Sequence, residues 1–229
     1  MFTYCLPVDT GKQNPVPFMN QPTGPREEKK QKTRQTLLDA ALLLLDGEQS
    51  FASLSLREVT REAGIVPTAF YRHFRDMDEL GLALVDESFH ALRQLMRAAR
   101  SGQMPTEQLI RRSVEVFVAH VRANSRYFLF LVRERSGGRI ALRNAIRTEV
   151  RLFISQLATD LARFPALNQW PTEDLQMMAS LLVSTMMSAV PDILDLGGRA
   201  EDAQVMATQL EKQMRLVVLG AGQWKPAGA

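Results

Sequence analysis

Apolar residues along the chain recur at intervals of three and four, and no stretch of any length alternates strictly, so the pattern predicts helices throughout and no strand. The first periodic run places Leu37, Ala41, Leu44 and Leu45 on one side of a helix from Arg26 to about Gly47. Two short helices follow. Ser55 with Glu58 has the spacing of a capping box, Leu56, Val59 and Ala63 share a face, and Gly64 ends the first of them. Ile65 and Val66 cross a tight turn, and Pro67, suited to a helix's first position, opens the second, which runs through Phe74 with Phe70 and Phe74 inward. Asp76 with Glu79 repeats the box and starts a long helix to about Arg100, carrying Leu80, Leu84, Phe89, Leu92, Leu95 and Met96 and stopped by Ser101-Gly102.

Beyond Met104-Pro105 the periodicity predicts helices over 106–123, 125–136, 139–164, 172–196 and 200–221, with Gly137-Gly138, Pro165, Pro171 and Gly197-Gly198 as punctuation. Pro191 should kink the fourth of these near Val190. The fold class is therefore all-α: a proline-rich disordered leader over 1–25, a three-helix domain with a helix-turn-helix over 26–75, a larger helical domain over 76–222 and a tail over 223–229. Met19 is a second candidate start.

Composition narrows the function more by exclusion than by assertion. A net charge of +3 from 28 basic and 25 acidic residues means that a nucleic-acid surface must come from local placement of cations. Cys5 is the single cysteine, which excludes an intrachain disulfide and fits a cytoplasmic protein. The apolar run Met177 to Val190 falls short of the roughly 18 residues of a membrane span and reads as a buried helix, so no membrane partner is expected. With His73, His90 and His120 far apart and no nucleophile–base set or acid–histidine cluster, neither a catalytic centre nor a metal site is expected, and no cofactor.

The cations are concentrated where DNA would lie. Arg26, Lys29, Lys30, Lys32 and Arg34 precede the first apolar run, where they read either as phosphate contacts or as a solvated helix end. With Phe70 and Phe74 inward, Thr68, Ala69, Tyr71, Arg72 and His73 are left as the outward residues of the second short helix.

The stretch LSLREVTREAGIVPTAFYRHFRDMDELG resembles the DNA-binding domain of the TetR family, and VRERSGG at Val132–Gly138 with LGAGQW at Leu219–Trp224 resembles its fatty-acid branch. That resemblance implies a homodimer reading a near-palindromic operator in double-stranded DNA. It implies a contact from Arg57, with Tyr71 and His73 on phosphates and Thr68, Ala69 and Arg72 facing bases, beside the phosphate contacts that the basic run offers from Lys32 and Arg34. Where many relatives carry Lys, this chain has Met77; Arg75 is the nearest substitute.

The larger domain is rich in adaptable apolar residues, among them Phe117, Phe128, Phe153, Met178, Met186 and Met187, which fit a plain core or a pocket for a flexible chain. Arg139, Arg143, Arg147 and Arg151 recur every four residues, with Arg133 and Arg135 just before them. Coenzyme A phosphates, acids of a partner subunit and plain hydration are three ways to satisfy such a row. The expected ligand contacts are Phe117, Phe128, Arg133, Arg143, Arg147, Met178 and Met186, with a long-chain acyl-CoA as effector. The last two helices would form the dimer's four-helix bundle through Ala179, Ser180, Ser184 and Ser188 on one and Met206, Leu210, Met214, Val217 and Val218 on the other.

The resulting expectation is a repressor of unsaturated fatty-acid synthesis or desaturation genes whose operator affinity is set by long-chain acyl-CoA. Two alternatives stand beside it: a regulator of the same family answering to another small apolar ligand, and a helical acyl-binding protein that does not bind DNA.

Overall fold

In the computed structural model, residues 24–46, 49–100, 105–196 and 200–225 are described, and among them every regular element is helical. The leader up to residue 23, Gly47, Ser101-Gly102, Gly197-Gly198 and residues 226–229 lie outside that set.

Helix α1 (Pro25–Leu44) has an exposed basic first half and a second half whose Leu37, Leu38, Ala41 and Leu42 are buried. After a 3-10 turn at Phe51–Ser53 comes α2 (Leu56–Glu62), opened by the box seen in the sequence. Ser55 Oγ accepts from the Glu58 amide at 3.3 Å, and Glu58 Oε2 accepts from the Ser55 amide at 2.9 Å. Loss of such a cap costs about 1 kcal/mol. Gly64 takes φ +65°, a left-handed conformation that a side chain resists, and the Ile65 amide closes the turn on the Thr60 carbonyl at 2.9 Å.

Helix α3 is regular only over Pro67–Phe70, shorter than predicted. Beyond it the amides of Arg72 and His73 donate to the carbonyls three residues back, at 3.2 and 2.8 Å, so the path stays helical but tightens. The tightening brings Phe74 back into the core, 1% exposed, before the next helix begins. The second box is half kept. Asp76 Oδ1 accepts from the Glu79 amide at 2.8 Å, while Glu79 turns to the Arg75 amide and side chain at 2.6 and 3.1 Å.

The larger domain is built from α4 (Met77–Arg100), α5 (Thr106–Ala123), α6 (Ser125–Gly137), α7 (Ile140–Leu161), α8 (Thr172–Ser188), α9 (Val190–Asp195) and α10 (Ala200–Ala221). The helix predicted over 172–196 is two helices joined at Ala189, because Pro191 has no amide to continue the ladder. The span Thr172–Asp195 is long and apolar enough to cross a membrane by length and composition, but α8 packs on α7 and α10 and buries Leu175, Met178, Ala179, Leu182, Val183 and Met186.

One buried cluster runs from Leu37 on α1 to Met214 on α10, so the two halves share a core. Helix α4, at 24 residues about 36 Å long, belongs to both. Phe51 meets Phe130 of α6 edge-on at 5.7 Å and closes the seam between them.

Candidate DNA-reading face and ligand cavity

The residues that fasten α2 to α3 leave a single outward face. Val59, Phe70 and Phe74 are buried and Leu56 and Ile65 half-buried, which fixes the two helices against α1. Arg57 on α2 and Thr68, Tyr71 and Arg72 at the second helix are exposed, Tyr71 at 62%; Ala69 and His73 are half-buried beside them. On α1, Lys32 is exposed, whereas Arg34 is half-buried with its guanidinium 4.5 Å over the Phe74 ring. Five of the eight residues named from sequence are thus fully in the open, and Arg34 and Arg72 lie near enough to His73 for their charges to act on its ring.

His73 is the most constrained member. Its Nδ1 is buried without a hydrogen-bond partner, and burial, followed by the charges of Lys30, Arg34 and Arg72, pushes the imidazole below its ordinary value. A site with three cations around a neutral imidazole is suited to an anion such as a DNA phosphate. Arg75, 85% exposed, is already engaged by Glu79 at 3.1 Å, and Met77 packs half-buried against the core.

The larger domain holds a cavity of about 1120 Å³, above the roughly 300–1,000 Å³ of most small-molecule sites. Its walls come from α4, α5, α7, α8 and α10, and include Phe89, Met96, Phe117, Phe153, Met178 and Met186. The charged groups at its lining are Arg97, Asp160 and Arg163, with Arg97 and Arg163 exposed at the opening and Arg163 paired to Asp160 at 3.7 Å.

Of the expected ligand contacts, the cavity brings together Phe117, Met178 and Met186. Phe128 stands apart in the core, edge-on to Phe117 at 6.4 Å and to His120 at 5.7 Å. Arg133 donates to the Leu45 carbonyl at 2.7 Å, Arg143 donates to the Gly138 carbonyl, and Arg147 is exposed on α7. The row therefore divides: its first members hold backbone, its later ones face solvent, and α6 contributes nothing to the cavity wall. Spacing along one helix showed that the arginines share a face but not what that face meets.

Two features escaped the sequence. The α7 wall, Val150, Phe153, Leu157 and Leu161, was visible as a helical stripe yet indistinguishable from core. A polar cluster also joins three helices. Gln35 on α1 donates to the Tyr127 hydroxyl at 3.3 Å and to Asp39 at 3.0 Å, and that hydroxyl donates to Glu87 on α4 at 3.5 Å. Burial, with Glu87 nearby, pushes Tyr127 up to about 12, and burial raises Glu87 as well. Residues so far apart in sequence leave no local signal.

Part of the face expected to pair two copies is used within the chain: Ala179, Leu210 and Met214 are buried. Leu181, Ser184 and Ser188 on α8 and Val205, Leu216 and Leu219 on α10 remain exposed.

A capped helix-turn-helix with an outward basic face, joined through a shared helix to a domain with an apolar cavity, defines a ligand-responsive DNA-binding protein. Residues 37–84 match the family described as bacterial regulatory proteins, tetR family, and residues 105–217 match the tetracyclin repressor-like C-terminal domain. The chain belongs to the TetR family and is a DNA-binding transcriptional regulator, not an enzyme.

Solved structures share the fold at low identity. A putative transcriptional regulator from Pseudomonas aeruginosa superposes with a TM-score of 0.68 at 16% identity, covering 85% of this chain and 94% of its own. The fatty acid degradation regulator FadR from Bacillus halodurans gives 0.67 at 14%, covering 80% and 94%. A TetR-family regulator from Streptomyces coelicolor gives 0.64 at 19%, covering 84% and 97%.

Proposed function

We propose that the protein is a cytoplasmic, homodimeric repressor of unsaturated fatty-acid synthesis or desaturation genes, with operator affinity set by long-chain acyl-CoA in the cavity. The observation that carries this reading is the cavity itself: about 1120 Å³, walled by Phe and Met side chains, with Arg97 and Arg163 at its opening. Methionines and phenylalanines accommodate a flexible hydrocarbon of variable length, and burial contributes about 0.8 kcal/mol per methylene before ordering costs. The arginines at the opening offer an anionic head group a charged partner, a role first assigned to Arg133, Arg143 and Arg147 on α7 and its approach. The fold shared with a regulator of fatty acid degradation is consistent with this ligand class.

Exposed Leu181, Val205, Leu216 and Leu219 supply the apolar surface for a second copy, and a two-fold protein asks for a near-palindromic operator. The DNA contacts are Lys32, Arg57, Thr68, Ala69, Tyr71 and Arg72, with Arg34 and His73 completing the phosphate site from below.

Mass spectrometry of ligands copurifying with the full-length protein, followed by gel shifts on its own upstream DNA with and without those ligands, tests the proposal. Long-chain acyl-CoA in the preparation and an acyl-CoA-dependent shift are expected. Recovery of an uncharged apolar molecule that alone changes the shift would replace the acyl-CoA reading with a regulator of other small ligands. Absence of any shift would place the operator outside its own upstream DNA.

A further inference from the structure

Helix α1 has no basic residue in its own last turn, yet Arg133 of α6 supplies one by donating to the Leu45 carbonyl at 2.7 Å. A cation there complements the negative end of the helix dipole. One residue on, Asp46 pairs with Arg126 of α6 at 3.1 Å. Beyond the corner between α6 and α7, Arg139 pairs with Asp78 in the first turn of α4, reaches the Ala52 carbonyl at 3.4 Å and lies 5.9 Å over the Phe51 ring. Three arginines from one short segment thus hold the end of α1, the 3-10 turn and the start of α4, which are three separate pieces of the DNA-reading half.

The corner that aims Arg133 and Arg139 is tightly built. The Gly138 amide donates to the Glu134 carbonyl at 3.2 Å, and its own carbonyl accepts from Arg143. A Cβ at position 138 would fall 2.7 Å from Glu134 Cα, and Glu134 is itself only 2% exposed, so any residue larger than glycine must move α6 against α7. From this corner α7 runs directly to the cavity, which it lines with Val150, Phe153 and Leu157. Val150 is ten residues, about 15 Å, along a rigid helix from Ile140. Beside it Glu149 pairs with Arg93 of α4, both less than a fifth exposed, so the two helices are braced together at the cavity wall.

We propose that the Arg133–Arg139 corner is a latch through which α7 reports cavity occupancy to the DNA-reading half, a second route parallel to α4. The latch rests on the reading that the cavity holds the effector. Its bonds are charge-assisted and its ion pairs partly exposed, so they can break and re-form while the glycine turn that aims them keeps its shape. Displacing Val150 and Phe153 outward tilts α7, and the latch passes that tilt to the end of α1 and the start of α4, the two helices that carry the reading segment.

The test measures the separation of the two halves within one protomer. Full-length protein carrying Cys5→Ser, Glu62→Cys and Thr159→Cys, both label sites exposed, is spin-labelled and diluted with unlabelled protein for pulsed dipolar spectroscopy. Palmitoyl-CoA and oleoyl-CoA are the probes. With the latch intact, a narrow distance distribution that moves when a probe binds is expected. The Arg133→Gln/Arg139→Gln double variant should broaden the distribution about twofold and abolish its response, while calorimetric affinity for the probe stays within about twofold. Exchanging charges with Arg139→Asp and Asp78→Arg should restore most of the narrow distribution. Arg139→Gln alone, in a pair that is one-third to one-half exposed, gives a milder variant if the double one does not fold. A variant as narrow and as responsive as wild type overturns the latch, as does loss of probe affinity in parallel with broadening. If a probe binds by calorimetry but leaves the wild-type distances unmoved, the latch falls; if neither probe binds at all, the acyl-CoA reading of the cavity falls instead.

Discussion

The guanidinium of Arg34 lies 4.5 Å over the ring of Phe74, and this contact fastens α1 to the segment that reads DNA. The same charge acts on Glu87 of α4, lowering a carboxyl that burial raises. Arg34 therefore stands between the reading face and the Gln35–Tyr127–Glu87 cluster, and its planar group is suited to both neighbours in a way an ammonium is not. Arg34→Lys should retain the charge but weaken operator binding several-fold, measured by fluorescence anisotropy; wild-type affinity would show that only the charge matters.

Replacing Tyr71 or Arg72 by Ala should cost roughly 1 to 3 kcal/mol of operator binding. Arg57→Ala should weaken specific and unrelated DNA alike if it meets a phosphate, and flatten the salt dependence by about one unit of log–log slope per copy. Titrations between low and physiological salt separate the two kinds of contact. Unchanged affinity in both recognition-segment variants would remove the assignment of that face.

His73 gives operator binding a pH dependence of predictable sign. In the free protein burial and the surrounding cations hold its imidazole below its ordinary value, whereas a phosphate beside it would favour the protonated form. DNA-bound protein then carries more proton than free protein in the window between the two values, so affinity should rise as the pH is lowered from 8 towards 6. The gain should vanish in His73→Gln. An identical pH profile in that variant would place the phosphate elsewhere.

Glu87→Gln should stabilise the protein at pH 7. Burial raises the Glu87 carboxyl, so ionising it opposes folding above its unfolded value and costs nothing when it is protonated. Glutamine keeps an acceptor for the Tyr127 hydroxyl without a charge. The melting temperature is expected to exceed wild type at pH 7 and to match it near pH 4; a drop at pH 7 would show that the Arg34 charge outweighs burial.

Gly64→Ala isolates the turn of the helix-turn-helix. No atom lies within 4 Å of where the new Cβ would sit, so the whole cost is that of the left-handed conformation, about 1 to 2 kcal/mol. Urea unfolding should show that loss, and Gly64→Asn should recover part of it.

The fold was legible where structure is set locally. The capping box at Ser55, the turn at Gly64, the proline opening α3 and the bounds of α5, α6 and α10 all follow from residues within a few positions of one another. The regular part of α3 was overestimated because the pull of Phe74 into the core, which tightens the segment after Phe70, comes from helices distant in sequence. The outward residues of the reading face could be derived by subtracting the inward phenylalanines. The cavity could not, since Phe117 on its wall and Phe128 in solid core read alike, and an arginine row does not reveal that Arg133 ends on the Leu45 carbonyl.

The segment Thr172–Asp195 has a consequence for the way the protein is made. It is apolar enough to pass for a membrane span, and α10, one of the helices that cover α8, leaves the ribosome after it. Until Ala200–Ala221 has emerged, the nascent chain presents α8 covered by α7 and the short α9 without α10. A chain interrupted by a stop codon before Ala200 should therefore retain its DNA-reading half and expose an apolar surface, so that it aggregates or is cleared instead of persisting as a shortened, dominant competitor for the operator.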